Sequence, residues 1–156
     1  VESVPRGAIR NQEAYERGKN LDHSRWQLDG NVVRSITPMD IDFVVDAAGW
    51  VLFCELESRA MQWEQLRPGP RRLYESCVRD SLKHCAVLAH HSVPLFDGRR
   101  IDTWNDIDAF QVMLFWNGRL RLTRLFAGNV VWQRFANAWL DDPVAARLRC
   151  YVEAAR

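Results

Sequence analysis

The sequence predicts an α/β sandwich in which helices flank a central mixed β-sheet. Three observations carry that expectation. Met39 to Ser58 reads as two strands joined by a tight turn. Arg71 to Lys83 has helical periodicity and runs into Cys85 to His91, a continuous apolar segment of strand length, as in a crossover to a buried parallel strand. Ala109 to Trp116 and Arg119 to Thr123 flank Asn117-Gly118, a strong signal for a two-residue hairpin turn. A parallel crossover and hairpins in one chain require a sheet of mixed direction.

The remaining elements follow in order. Residues 8–19 predict a first helix, with Ile9, Glu13 and Glu16 roughly along one side and Gly18 as its stop. Asp29-Gly30-Asn31 is a turn signal, and Val32 to Ile36 a short strand before the break at Pro38. In the central hairpin Asp42 and Val44 alternate with Phe43 and Val45. Ala47-Ala48-Gly49 supplies the turn, and Val51 to Cys54 is the apolar heart of the return strand. Arg59 to Leu66 reads as a short helical turn or irregular segment. Arg67-Pro68-Gly69-Pro70 reads as a loop whose Pro70 suits a first helical position. The following helix would turn Leu73, Cys77, Val78 and Leu82 inward. Residues 92–106 form a polar loop. Asn129 is expected to cap a helix through Ala138 that carries Val130, Val131, Phe135 and Trp139. Asp142 caps the last helix, which runs to Ala154 with Pro143 as its first residue.

A chain of 156 residues suits one domain, expected over 1–156. Its 47% hydrophobic and 26% charged residues are an ordinary globular balance rather than a disordered one. The net charge of +1 provides no overall positive field, so any nucleic-acid site must come from local patches. Cys54, Cys77, Cys85 and Cys150 form no C-x-x-C pair and sit in apolar or helical contexts, which predicts reduced, buried thiols. No apolar run reaches membrane-spanning length, and Val1 to Arg6 shows no signal-peptide pattern. A cytoplasmic protein without a membrane partner is the expectation.

The hairpin carries the chemistry. Strand side chains alternate faces, so Asp40 and Asp42 point one way together, as do Glu55 and Glu57. Pairing the strands lets up to four carboxylates converge at their ends. Such a cluster repels itself unless raised pKa values or a cation relieve it, and a hard divalent ion with oxygen ligands is the simplest relief. Asp42 and Glu55 are the first candidate ligands, and Asp40 an extra one. The plainer alternative is a solvated hairpin whose acids keep one sheet face wet.

Ile36-Thr37-Pro38-Met39-Asp40-Ile41-Asp42, then twelve residues, then Glu55-Leu56-Glu57-Ser58, resembles the PD-(D/E)XK nuclease superfamily. It is most similar to small phage-encoded members with an I-T-P-x-D-I-D … E-x-K-S pattern. The resemblance covers roughly residues 8–91. It implies a restriction-endonuclease-like fold and a Mg²⁺- or Mn²⁺-dependent DNA endonuclease or exonuclease. Asp42 and Glu55 then match the metal-binding acids. Glu57 stands where the family usually has Lys, and so becomes a general base, a third ligand, or the mark of a lost activity. A catalytically degenerate nuclease fold that binds DNA or a protein is the alternative. The resemblance also implies DNA as partner, and it admits a homodimer and replication, recombination or packaging proteins of a phage or its host.

Local basic candidates for the DNA backbone are Arg71 and Arg72 at the start of the helix after the motif, and Arg119 and Arg121 on one face of a hairpin strand. Solvated edges are the common alternative for both pairs. Gln62 is a candidate for a glutamine that similar proteins show near that helix. His84, His90 and His91 with Cys77 and Cys85 fit no zinc spacing. Trp104, Trp116 and Trp132 are expected to pack in the core rather than to stack on bases.

Overall fold

The computed structural model describes residues 41–58, 61–93 and 101–156. They all belong to one unit, Ile41–Arg156. The predicted helix over 8–19, the strand over 32–36 and Asp40 lie outside the described residues, and the single-domain expectation over 1–156 extends beyond them.

Strands β1 (Phe43–Ala47) and β2 (Trp50–Glu57) pair antiparallel. Ala48 and Gly49 join them with positive φ angles of 53° and 85°. That is the mirror-image turn whose twist matches the flanking strands. The Asp46 carboxylate accepts the Gly49 N–H at 2.7 Å and braces the turn. A 3₁₀ turn (Trp63–Gln65) leads to α1 (Pro68–Asp80), which crosses to β3 (His84–His91). β3 lies parallel to β2, as the continuous apolar run predicts. β4 (Ile107–Trp116) and β5 (Arg119–Leu122) form the Asn117-Gly118 hairpin. The sheet order is β1-β2-β3-β4-β5, and β6 (Phe126–Ala127) pairs with β4. Helices α2 (Asn129–Asp141) and α3 (Pro143–Ala154) close the chain.

The sheet divides two cores. On one face Tyr74 and Val78 of α1 pack with Trp63, Ala86, Leu88 and Met113. On the other, Trp132 and Trp139 of α2 and Ala146 and Cys150 of α3 pack over Leu52, Cys54, Val87, Phe110 and Val112. β3 is buried on both sides, which is why its sequence shows no polar alternation. The α/β class and the mixed sheet are therefore as predicted.

Local boundaries differ in instructive ways. α1 begins at Pro68, so Arg67 to Pro70 is the helix entry rather than a loop. The first-turn N–H groups have no intrahelical acceptor, so proline costs nothing there. α1 ends at Asp80, and Ser81 is extended; Leu82 is 60% exposed instead of inward. The inward positions are Tyr74 and Val78. Asn129 is the first helical residue of α2, not its cap, which is Gly128 at φ 103°. The Asn129 amide instead donates to the carbonyls of Trp104 and Ile107, both at 2.9 Å, and ties the preceding turn to the helix. Val130 and Val131 face outward, at 60% and 39% exposure, while Trp132 and Trp139 fill the core. The α3 cap is as predicted: Asp142 accepts the Ala145 N–H at 3.0 Å.

Cys54, Cys85 and Cys150 are buried, Cys77 is half-buried, and none is in a disulfide. Burial pushes the Cys85 and Cys150 thiols up to about 12. Arg147, also buried, donates to the Phe115 carbonyl at 2.6 Å and lies over the Trp116 ring. Of the three tryptophans considered for stacking, Trp132 is core, Trp116 packs on Tyr151, and Trp104 is exposed.

Candidate functional site

The site is built by hairpin register. Phe43 stands opposite Cys54, so one step further along the same ladder sets Asp42 across from Glu55. On β2, Leu52, Cys54 and Leu56 turn toward the α2–α3 core, while Phe53 turns toward the α1 core. Alternation therefore puts Glu55 on the α1 side. There the Tyr74 hydroxyl donates to Glu55 Oε2 at 2.6 Å, and lies 3.2 Å from the Cys54 carbonyl. Asp42 sits just before β1, and its Oδ2 accepts the Leu56 N–H at 2.7 Å. Each carboxylate is thus held by a donor from another element, which fixes its orientation.

Electrostatics reflect the crowding. Burial pushes the Glu55 carboxyl above the usual carboxylate range; the Tyr74 hydrogen bond opposes this, the charges of Asp42 and Glu57 add to it, and the Arg67 guanidinium opposes it. The Tyr74 hydroxyl is pushed up by burial first, then by its bond to Glu55 and the charges of Glu55 and Asp42. The cluster carries mutual repulsion that a cation would relieve.

Glu57 is the last residue of β2, paired in the ladder with His90, and its side chain makes no hydrogen bond or ion pair among the described residues. It lines a cleft of about 430 Å³ with Asp42, Phe43, Leu56, Ser58, His91, Ile101 and Thr103. The cleft lies at the C-terminal ends of β2 and β3, the end of a parallel pair where α/β folds commonly place ligands.

The structure thus brings Asp42, Glu55 and Glu57 together; Asp40 lies outside the described residues. Among the described residues, no group of three or more His, Cys, Asp or Glu is placed to hold a metal ion. The β3–β4 ladder slips between His90 and His91.

The arginines separate. Arg71 and Arg72 lie in the first turns of α1, the helix that supplies Tyr74. Arg71 reaches the Glu64 carbonyl at 3.5 Å and Glu75 at 4.0 Å, while Arg72 is exposed. Arg119 and Arg121 are not brought to the carboxylates. Leu120 and Leu122 of β5 pack on the α1 core, so the arginines between them take the opposite sheet face. β3 and β4 also stand between β5 and β2. Gln62 is exposed and braces the 3₁₀ turn.

Sequence reasoning missed Tyr74 and Arg67. Tyr74 follows directly on Leu73, and only the observed helix phase tells which of the two faces the sheet. Arg67 stands before Pro68 at the helix entry, where a loop was expected. No family model, no curated protein and no solved structure matches this chain.

Proposed function

We propose that this protein is a metal-dependent nuclease that hydrolyses DNA phosphodiester bonds with a PD-(D/E)XK-like site of the E-x-E kind. The observation that carries the reading is the oriented pair of Asp42 and Glu55, opposed across one hairpin. Each is held through one carboxylate oxygen, at 2.7 Å and 2.6 Å, which leaves the other oxygen available. The donors fit Mg²⁺ or Mn²⁺. Mg²⁺ usually keeps several waters and takes one or two protein carboxylates, so a complete protein cage is not required. Such an ion supplies Lewis acidity toward a phosphate oxygen and acidifies water.

The chain's own residues divide the remaining work. Tyr74 and the Leu56 N–H hold the two ligands in place. Glu57, at the strand end, takes the proton of the attacking water as a general base. A new oxygen–phosphorus bond forms as the bond to the leaving deoxyribose oxygen breaks, and solvent water protonates that oxygen. Arg67, with Arg71 and Arg72, lies at the α1 entry, where a backbone phosphate would approach.

The test is cleavage of linear, nicked and branched DNA with Mg²⁺, Mn²⁺ or EDTA. Metal-dependent cleavage that Asp42→Ala and Glu55→Ala each abolish is expected. Full activity in both variants would refute the assignment. Glu57→Lys addresses the alternative of a degenerate, binding-only fold: lower cleavage supports a working Glu57, and a large gain identifies a decayed enzyme.

A further inference from the structure

We infer that a second cleft, bounded by α2, α3 and β6, binds a small apolar carboxylate, with its hydrocarbon against three phenylalanine rings and its charge at Arg134 and Arg149. This cleft belongs to the α2–α3 face of the sheet, whereas Glu55 lies on the α1 face, so the inference does not rest on the nuclease reading.

The shape comes first. The cleft measures about 220 Å³. An apolar cavity of about 150 Å³ admits benzene, so this volume suits one ring with a short side chain, or an alkyl chain of equal bulk. Phe110, Phe126 and Phe135 line it, and the centroids of the Phe126 and Phe135 rings lie 5.1 Å and 5.0 Å from that of Phe110. Ala138, Ala146 and Cys150 also line it, and their small side chains leave the space open. Phe110, Ala146 and Cys150 are core residues, exposed by 1%, 3% and 4%, so the cleft reaches down to the core instead of skimming the surface. Water against such walls finds few polar partners, and hydrocarbon that displaces it is favoured.

The charge decides the class of ligand. Arg134 of α2 and Arg149 of α3 line the same cleft, and both are exposed. Neither makes an ion pair or hydrogen bond among the described residues. Glu153 is the one carboxylate among the described lining residues, and its two oxygens already face Arg124 and Arg156, each at 3.4 Å. Arg124 also lies 5.1 Å over the Phe126 ring. Two uncompensated guanidiniums therefore border an apolar surface. That is complementarity for an anion joined to hydrocarbon, and a carboxylate matches the planar N–H fork of arginine. A cation of the same shape would be repelled, and a neutral molecule would leave both guanidiniums unused.

The test is titration of the full chain in EDTA with 3-phenylpropanoate, its neutral amide and acetate, followed by NMR chemical shifts. The phenyl acid should bind saturably and shift amides of α2 and α3. The neutral amide should bind at least tenfold more weakly, and so should acetate, which has the charge without the hydrocarbon. Ala138→Leu fills the cleft and should abolish binding. Arg134→Gln combined with Arg149→Gln, at two exposed positions, should weaken the phenyl acid at least tenfold with the fold retained, and it decides the matter if Ala138→Leu does not fold. No saturable binding, equal binding of the neutral amide, or unchanged binding in a folded variant would overturn the inference. So would shifts confined to the α1 face. Acetate bound as tightly as the phenyl acid would reduce the site to an adventitious ion only.

Discussion

Tyr74→Phe removes the bond that holds Glu55. The ring stays, including its edge contact with Trp63 at 5.8 Å, and one hydroxyl is lost from a fully buried side chain. The largest lost interaction is the 2.6 Å bond to Glu55, and the hydroxyl's 3.2 Å contact with the Cys54 carbonyl and its backbone bond from Asp42 go with it. A hydrogen bond to a charged group contributes about 1.5–3 kcal/mol. Glu55 is half-buried, so water replaces part of it and the low end applies, about 1.5 kcal/mol. For a chain of this size that lowers Tm by about 3–6 °C. The pH dependence gives the sharper test. The Tyr74 bond favours ionised Glu55, so its removal raises the folded-state pKa still further. A carboxyl raised on folding gives stability that is present at low pH and lost as pH rises through the folded value. The deficit of the variant should therefore be larger at pH 8 than at pH 5, and thermal unfolding by circular dichroism reads it. A deficit equal at both pH values, or none at all, would refute the claim that Tyr74 acts through the Glu55 carboxylate.

Four further outcomes follow from the site and from the packing around it. Glu55→Gln removes a carboxyl that burial and two like charges push up, so the metal-free variant should melt higher than the native protein at pH 7 while losing cleavage; a lower Tm would contradict the electrostatic account. Mg²⁺ should raise the Tm of the native protein and not of this variant. Asp42→Asn retains an acceptor for the Leu56 N–H and should melt near the native value, whereas Asp42→Ala should cost about 1–2 kcal/mol by denaturant titration; both should lose metal response. A thiol reagent at pH 8 should label at most Cys77 in the native protein and all four cysteines after unfolding, because the other three are buried. Rapid labelling of Cys85 or Cys150 in the native state would count against the packing described.

Where the chemistry is local, the residues spoke for themselves. Alternation fixed the hairpin and opposed Asp42 to Glu55, because a two-residue turn leaves one register that buries Phe43 and Val45 together. The apolar run of β3 announced a strand covered on both faces, and Asn117-Gly118 and Asp142-Pro143 announced a turn and a helix start. What could not be read is set by distant partners. The phase of α1, which chooses Tyr74 over Leu73, depends on the space left by Ala86 and Leu88. The outward Val130 and Val131 leave the core to Trp132 and Trp139, a choice of helix phase made by the packing partners. Sequence placed Arg119 and Arg121 on one strand face, but only the sheet order shows that this face is turned away from Glu55. Short-range steric rules are written in neighbouring residues, whereas burial and electrostatic company belong to contacts that the chain makes only when it closes on itself.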